Sequence, residues 1–263
     1  MAKFDIAENK ITKRNFIIVL IVVALLTAFF CLASIFSSFG YKQSLFALKE
    51  EESIEETEKR FTVVIDAGHG GEDSGAVANG LNEKELNLVI AGKLKDMLSL
   101  SDVDVVMTRT DDRMLYGDAD KRKKFHDLLE RVKIAQSYDN CIFVSIHMNK
   151  FPLEQCHGLQ VFYSENNEQS KALASKIRQY ALLTDNTNGR VIKPGGKDIY
   201  VLDRLECPAV LVECCFLSNS YDAGRITDET EQNKLAFALF CGINKFIEDI
   251  EIENIKEQGN ESG

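Results

Sequence analysis

The sequence predicts an α/β fold: one three-layer αβα domain over residues 61–250, with helices packed on both faces of a mostly parallel sheet. Three observations carry that expectation. Five short runs, FTVVID (61–66), VDVVMT (103–108), CIFVSI (141–146), GLQVFY (158–163) and AVLVE (209–213), are apolar at most positions, as strands covered on both faces are. Longer amphipathic stretches separate them, and that alternation is the pattern of strands joined through helices. The first run enters a glycine-rich turn directly, which puts a candidate loop at the carboxyl end of a strand, where open parallel sheets bind ligands.

The elements follow in chain order. Between Arg14 and Lys42 no residue is charged, and Phe16 to Phe36 is nearly continuously apolar, long enough to cross a bilayer as a helix. Lys3, Lys10, Lys13 and Arg14 outnumber Asp5 and Glu8 before it. The expected order is therefore a cytoplasmic tail (1–15), a transmembrane signal-anchor (16–38), a charged linker (39–60) and a domain outside the cytoplasm, in the cell envelope. A cleaved signal peptide would have a shorter apolar core ending in a small-x-small site. Residues Ala28 to Ser34 offer no such site, and Ala28, Phe29 and Phe30 before Cys31 make a poor lipoprotein signal.

Within the domain, helices are expected over 83–98, 122–137, 168–183 and 231–248. In the first, Leu86, Leu88, Val89, Leu94, Met97 and Leu98 supply the apolar face; in the second, Phe125, Leu128, Leu129, Val132 and Ile134 do. The charged stretch 111–127 reads as a solvated insert rather than a lid, and 251–263 as a flexible, frayed tail.

Composition narrows the function. A formal charge of −10 argues against nucleic acid as partner, because such a surface repels phosphates. The seven cysteines include no C-x-x-C pair, so zinc-ribbon and thioredoxin readings fail and packing is their expected use.

The chemistry gathers at strand ends. In DAGHGGEDSGA (66–76), His69 stands at the crest of a turn with glycines at 68, 70, 71 and 75. A phosphate loop would need G-x-G-x-x-G or a Lys-Ser/Thr ending, and neither is present. His147 closes the run CIFVSI, and Glu213 closes AVLVE; alone, His147 reads more readily as a hydrogen-bonded core histidine. In LNEKELNL, Glu83 and Glu85 both fall in a helix's first turn, where an acidic residue can simply complement the helix dipole. Two histidines at strand ends and one such carboxylate form the His₂–carboxylate set of a catalytic zinc site, with its fourth position left to water. Glu213 beside that site could take a proton from water and deliver it to a leaving nitrogen.

The segments VVIDAGHGGEDSGA, NEKELNL, FVSIHMN and PAVLVECCFLSN resemble, in order and spacing, the four signature blocks of the zinc-dependent N-acetylmuramoyl-L-alanine amidases of the amidase-3 family, over roughly residues 61–249. The resemblance implies a six-stranded sheet, a Zn²⁺ cofactor held by His69, Glu83 and His147, and Glu213 as catalytic acid/base. It selects Glu83 over Glu85. It also implies peptidoglycan as substrate, cut at the amide between N-acetylmuramic acid and L-alanine, and leaves room for an accessory activator protein. HGLQVFYS (157–164), DNTNGR (185–190) and IYVL (199–202) further resemble the sporulation branch, which strips spore-cortex glycan so that muramic-δ-lactam can form for germination. Two other readings are a catalytically silent, membrane-tethered muropeptide binder and a zinc peptidase for a different amide. Outside the blocks, Arg109 and Arg131 are expected in salt bridges, Asp66 beside the histidines, and His126 and His157 in structural or surface roles.

Overall fold

The computed structural model describes Thr27 and residues 60–116, 122–185 and 189–261. The expected cytoplasmic tail, membrane span and charged linker lie outside these residues, save Thr27 and Arg60. Among the described residues no helix is long and apolar enough to cross a membrane.

The chain forms β1 (Thr62–Ala67), the short pair β2 (Val77–Ala78) and β3 (Leu81–Asn82), α1 (Glu83–Leu98), β4 (Asp104–Met107), α2 (Lys123–Gln136) and β5 (Cys141–Asn149). It continues through β6 (Gln160–Tyr163), α3 (Gln169–Ala181), β7 (Lys193–Pro194), α4 (Tyr200–Arg204), β8 (Ala209–Phe216), α5 (Ser220–Ile226) and α6 (Glu229–Glu261). Six strands make the main sheet in the order β4-β1-β5-β8-β6-β7. The first four run parallel, β6 is antiparallel to β8, and β7 follows β6 in parallel. All five runs read as strands are strands. The sixth, Lys193–Pro194, is too short to show in the sequence, and its proline suits an edge because it has no N–H to give a ladder.

Side-chain alternation sorts the sheet into two cores. Val63 and Ile65 of β1, Ile142, Val144 and Ile146 of β5, and Val210 and Val212 of β8 pack beneath α1, α3 and α6. Val64, Phe143 and Leu211 face the other way, with Val132 of α2 and Leu202 of α4. Carried toward the carboxyl ends, this second parity puts Asp66, Ser145, His147 and Glu213 on one face of the sheet. A cleft opens there, walled by α2 and α4.

Three expectations change. The buried face of α1 is Glu83, Leu86, Asn87, Ile90, Ala91, Leu94 and Leu98; Val89 is 41% exposed, because two polar residues occupy places on the inward stripe. The stretch expected to fray from 251 is helical to Glu261, since extending an existing helix with residues such as Glu, Lys and Gln needs no new nucleus. Part of the supposed solvated insert is anchored: Gly71 N and Lys84 Nζ both donate to Asp112, each at 2.7 Å.

Candidate metal centre

The turn after β1 is built around a strained histidine. His69 has φ 59°, a left-handed conformation that costs an L-residue about 1–2 kcal/mol and persists only where the surroundings impose it. Gly70 and Asp73 exchange backbone hydrogen bonds at 2.9 and 3.0 Å, closing the loop with Gly70 at φ 137°. Gly68 must also be glycine: a Cβ there would stand 2.1 Å from His147 Nε2.

Glu83 arrives by a second local device. Asn79 (φ 50°) and Gly80 (φ 75°) form the two-residue Asn-Gly turn that joins β2 to β3, as in type I′ hairpins. The hairpin folds back so that Glu83 N donates to Ala76 O at 2.9 Å and Ala76 N to Glu83 Oε2 at 2.7 Å. Glu83 is the first residue of α1 and 3% exposed. A glutamate that only complemented a helix dipole would face solvent. Glu85 does face solvent and accepts a hydrogen bond from Asn82 at 3.1 Å.

The four residues singled out from the sequence come together. Glu83 Oε1 lies 2.8 Å from His147 Nδ1 and 3.2 Å from His69 Nε2, and accepts from Met148 N at 3.0 Å. One donor atom from each of His69, Glu83 and His147 lies within 4.8 Å of the others. Burial opposes ionisation of Glu83, but hydrogen bonds and charge from His147 and His69 hold its carboxyl well below the usual range. His69 is shifted upward: burial works against its protonation, and Glu83 and Asp73 outweigh it. Two imidazoles closing on an ionised, buried carboxylate form a donor set that fits a divalent transition metal.

Glu213 stands beside this cluster. It is in register with His147 across β5 and β8, and its Oε2 is buried without a hydrogen-bond partner. Burial, with a contribution from the Glu83 charge, pushes its carboxyl up to about 7 against the pull of His147 and His69. A carboxyl poised near neutrality suits proton transfer in both directions. Neither His147 nor Glu213 ends its strand: β5 runs to Asn149 and β8 to Phe216, so both sit on rigid backbone.

Two buried arginines hold the turn. Arg109, expected in a salt bridge, instead donates to four carbonyls: Ala67 (2.8 Å), Gly68 (2.9 Å), Lys84 (2.8 Å) and Asp111 (3.0 Å). Arg131 makes the expected ion pairs, with Asp127 and Asp66, and adds bonds to Ala67 O and His69 O, each 2.8 Å. Asp66 reaches the His69 turn through Arg131, and also accepts from Thr108 and Ser145. His126 packs on Phe125, and His157 O accepts from Arg190; neither histidine enters the cluster. Asn87 was not foreseen. Its Nδ2 donates to Gly68 O at 3.0 Å, and a polar residue one helical turn after Glu83 was its signal.

The clamp yields a prediction. Arg131→Met leaves Asp66 and Asp127 as buried charges without their cation and frees the His69 carbonyl. Stability should fall by about 3–5 kcal/mol, read as the shift in urea midpoint. A loss under about 1 kcal/mol would mean the clamp does not hold the turn.

The family model described as N-acetylmuramoyl-L-alanine amidase matches residues 63–245. The germination-specific N-acetylmuramoyl-L-alanine amidase of Bacillus subtilis is 32% identical over 191 residues, covering 70% of this chain and 78% of that protein. Among solved structures, the CwlD amidase of Clostridioides difficile, in complex with the GerS lipoprotein, superposes with a TM-score of 0.67 at 39% identity, over 72% of this chain and 99% of that one. The catalytic domain of CwlV from Bacillus (Paenibacillus) polymyxa gives 0.63 at 34% identity, over 72% and 98%.

Proposed function

The chain belongs to the N-acetylmuramoyl-L-alanine amidase family, and from that premise we propose that it cuts the muramoyl–alanine amide of peptidoglycan with one zinc ion held by His69, Glu83 and His147 and with Glu213 as acid/base. The observation that carries this reading is the convergence of those three donors with Glu213 in register beside His147. Zinc, when bound, polarises the scissile carbonyl and lowers the pKa of water toward neutrality.

The protein's own groups do the rest. The carboxyl of Glu213 accepts the proton released as water adds to the carbonyl, then gives it to the alanine nitrogen as the C–N bond breaks. Its unpartnered Oε2 leaves an acceptor free for that proton. Arg109 and Arg131 fix the backbone of the His69 turn, so the imidazole needs no reorganisation when substrate arrives.

The biological setting rests on likeness. Identity to the CwlD amidase of Clostridioides difficile and to the germination-specific amidase of Bacillus subtilis supports spore cortex as the substrate, with peptide-free muramic acid as the product from which the lactam forms. The CwlD complex with GerS supports an accessory lipoprotein as partner. The apolar run at 16–38 supports membrane anchoring with the domain outside the cytoplasm. Incubating the full chain with purified peptidoglycan and zinc tests the activity: mass spectrometry should find peptides with a free N-terminal alanine and glycan stripped of peptide. Cleavage only between amino acids of the stem would sink the assignment.

A further inference from the structure

One cation on the wall of the cleft is loosely held. Lys124, in the first turn of α2, lines the cleft with His69, His147, Glu213 and Tyr200. Its Nζ is 3.4 Å from Asp73 Oδ2, and its side chain is 69% exposed. Neighbouring cations are committed. Lys123 reaches both Glu72 oxygens at 2.8 Å, Lys84 binds Asp112 and Gly71 O, and Arg109 and Arg131 are buried in their carbonyl and carboxylate bonds. With its lysine exposed and a 3.4 Å separation, the pair contributes under about 1 kcal/mol, so giving up Asp73 costs Lys124 little. Asp73 would keep its other neighbours, His69 Nδ1 at 2.9 Å and Gly75 N at 3.1 Å.

The helix that carries Lys124 is held against the opposite wall. Arg122 lies over the Phe125 ring at 4.8 Å, Phe125 meets Tyr200 edge-on at 5.7 Å, and Arg204 covers Tyr200 at 5.4 Å. The ammonium therefore swings on its flexible stem from a fixed base. Asp73 and Asp198 also line this cleft, so a stem-peptide carboxylate placed beside them meets repulsion unless a cation receives it.

We propose that Lys124 is a specificity-determining residue: its ammonium exchanges Asp73 for a carboxylate of the stem peptide whose alanine is being released. The inference rests on the amidase reading above. It assigns the peptide side of the substrate to the wall formed by the start of α2, a few ångströms from the histidine turn.

The test uses the full chain and two muropeptides that differ only in whether the stem-peptide carboxylates are free or converted to amides. The readout is the ratio of kcat/KM for the free-acid form over the amidated form. Lys124→Gln should lower that ratio about tenfold, the scale of one lost charge contact, while Lys124→Arg should largely keep it. Added salt should lower the wild-type ratio through KM. An unchanged ratio in Lys124→Gln overturns the proposal, even if both substrates slow together, because a role confined to supporting Asp73 and His69 would act on both alike. No cleavage of either substrate by the wild type would overturn the reading of the site itself.

Discussion

Replacing Glu83 with alanine is expected to remove metal binding and activity together. The carboxylate meets both histidines through Oε1 and pins the hairpin through Oε2. Its loss leaves two imidazoles without the anion between them and leaves Ala76 N without its acceptor. Altering a group that only supports a metal ligand typically costs 10–100-fold in affinity, so losing a ligand should cost more than about 100-fold. Competition with a chromophoric zinc chelator reads the affinity, and muropeptide cleavage reads the activity. Glu83→Gln keeps the shape and removes the charge, so it should also bind zinc poorly. Glu85→Ala should do neither, since Glu85 faces solvent beside Asn82. A Glu83→Ala chain that binds zinc as tightly as wild type would remove this residue from the ligand set.

Glu213→Gln should separate chemistry from metal binding. Zinc affinity is expected to stay close to wild type while kcat falls by about 10²–10⁴, the usual contribution of a positioned acid/base. The same residue predicts a pH signature in the metal-free chain. Its carboxyl, raised from 4.5 to about 7 by burial, ionises more readily when the chain unfolds. The stability this group contributes is therefore complete below about pH 4.5 and lost as pH rises through about 7. Thermal midpoints in chelator from pH 4 to 8 should show this decline in the wild type and a shallower one in Glu213→Gln. Identical slopes would mean that Glu213 is as solvated in the fold as in the unfolded chain.

Much of this was legible in the sequence because strands declare themselves by runs of apolar residues, and what stands at their carboxyl ends follows. His69, His147 and Glu213 were found that way. Glu83 was not, because a first-turn glutamate is equally at home in solvent; what distinguishes it is burial. That burial depends on Asn79-Gly80 turning the chain back, a signal present in the sequence but short. Arg109 and Arg131 were harder still. Arg131 lies on a helix and Arg109 in the chain after β4, and nothing local shows that each is buried to hold carbonyls of the turn after β1. The inward face of α1 was misjudged in part: Glu83 and Asn87 are buried on it, while Val89, which a hydrophobic pattern places there, is exposed.

Bound zinc and muramoyl–alanine cleavage, measured on the same samples of wild type, Glu83→Ala and Glu213→Gln, separate the metal ligand from the acid/base. Wild type should hold zinc and cleave, Glu213→Gln should hold zinc without cleaving, and Glu83→Ala should do neither. Cleavage at the wild-type rate by Glu213→Gln, or by wild type stripped of metal, would contradict these roles.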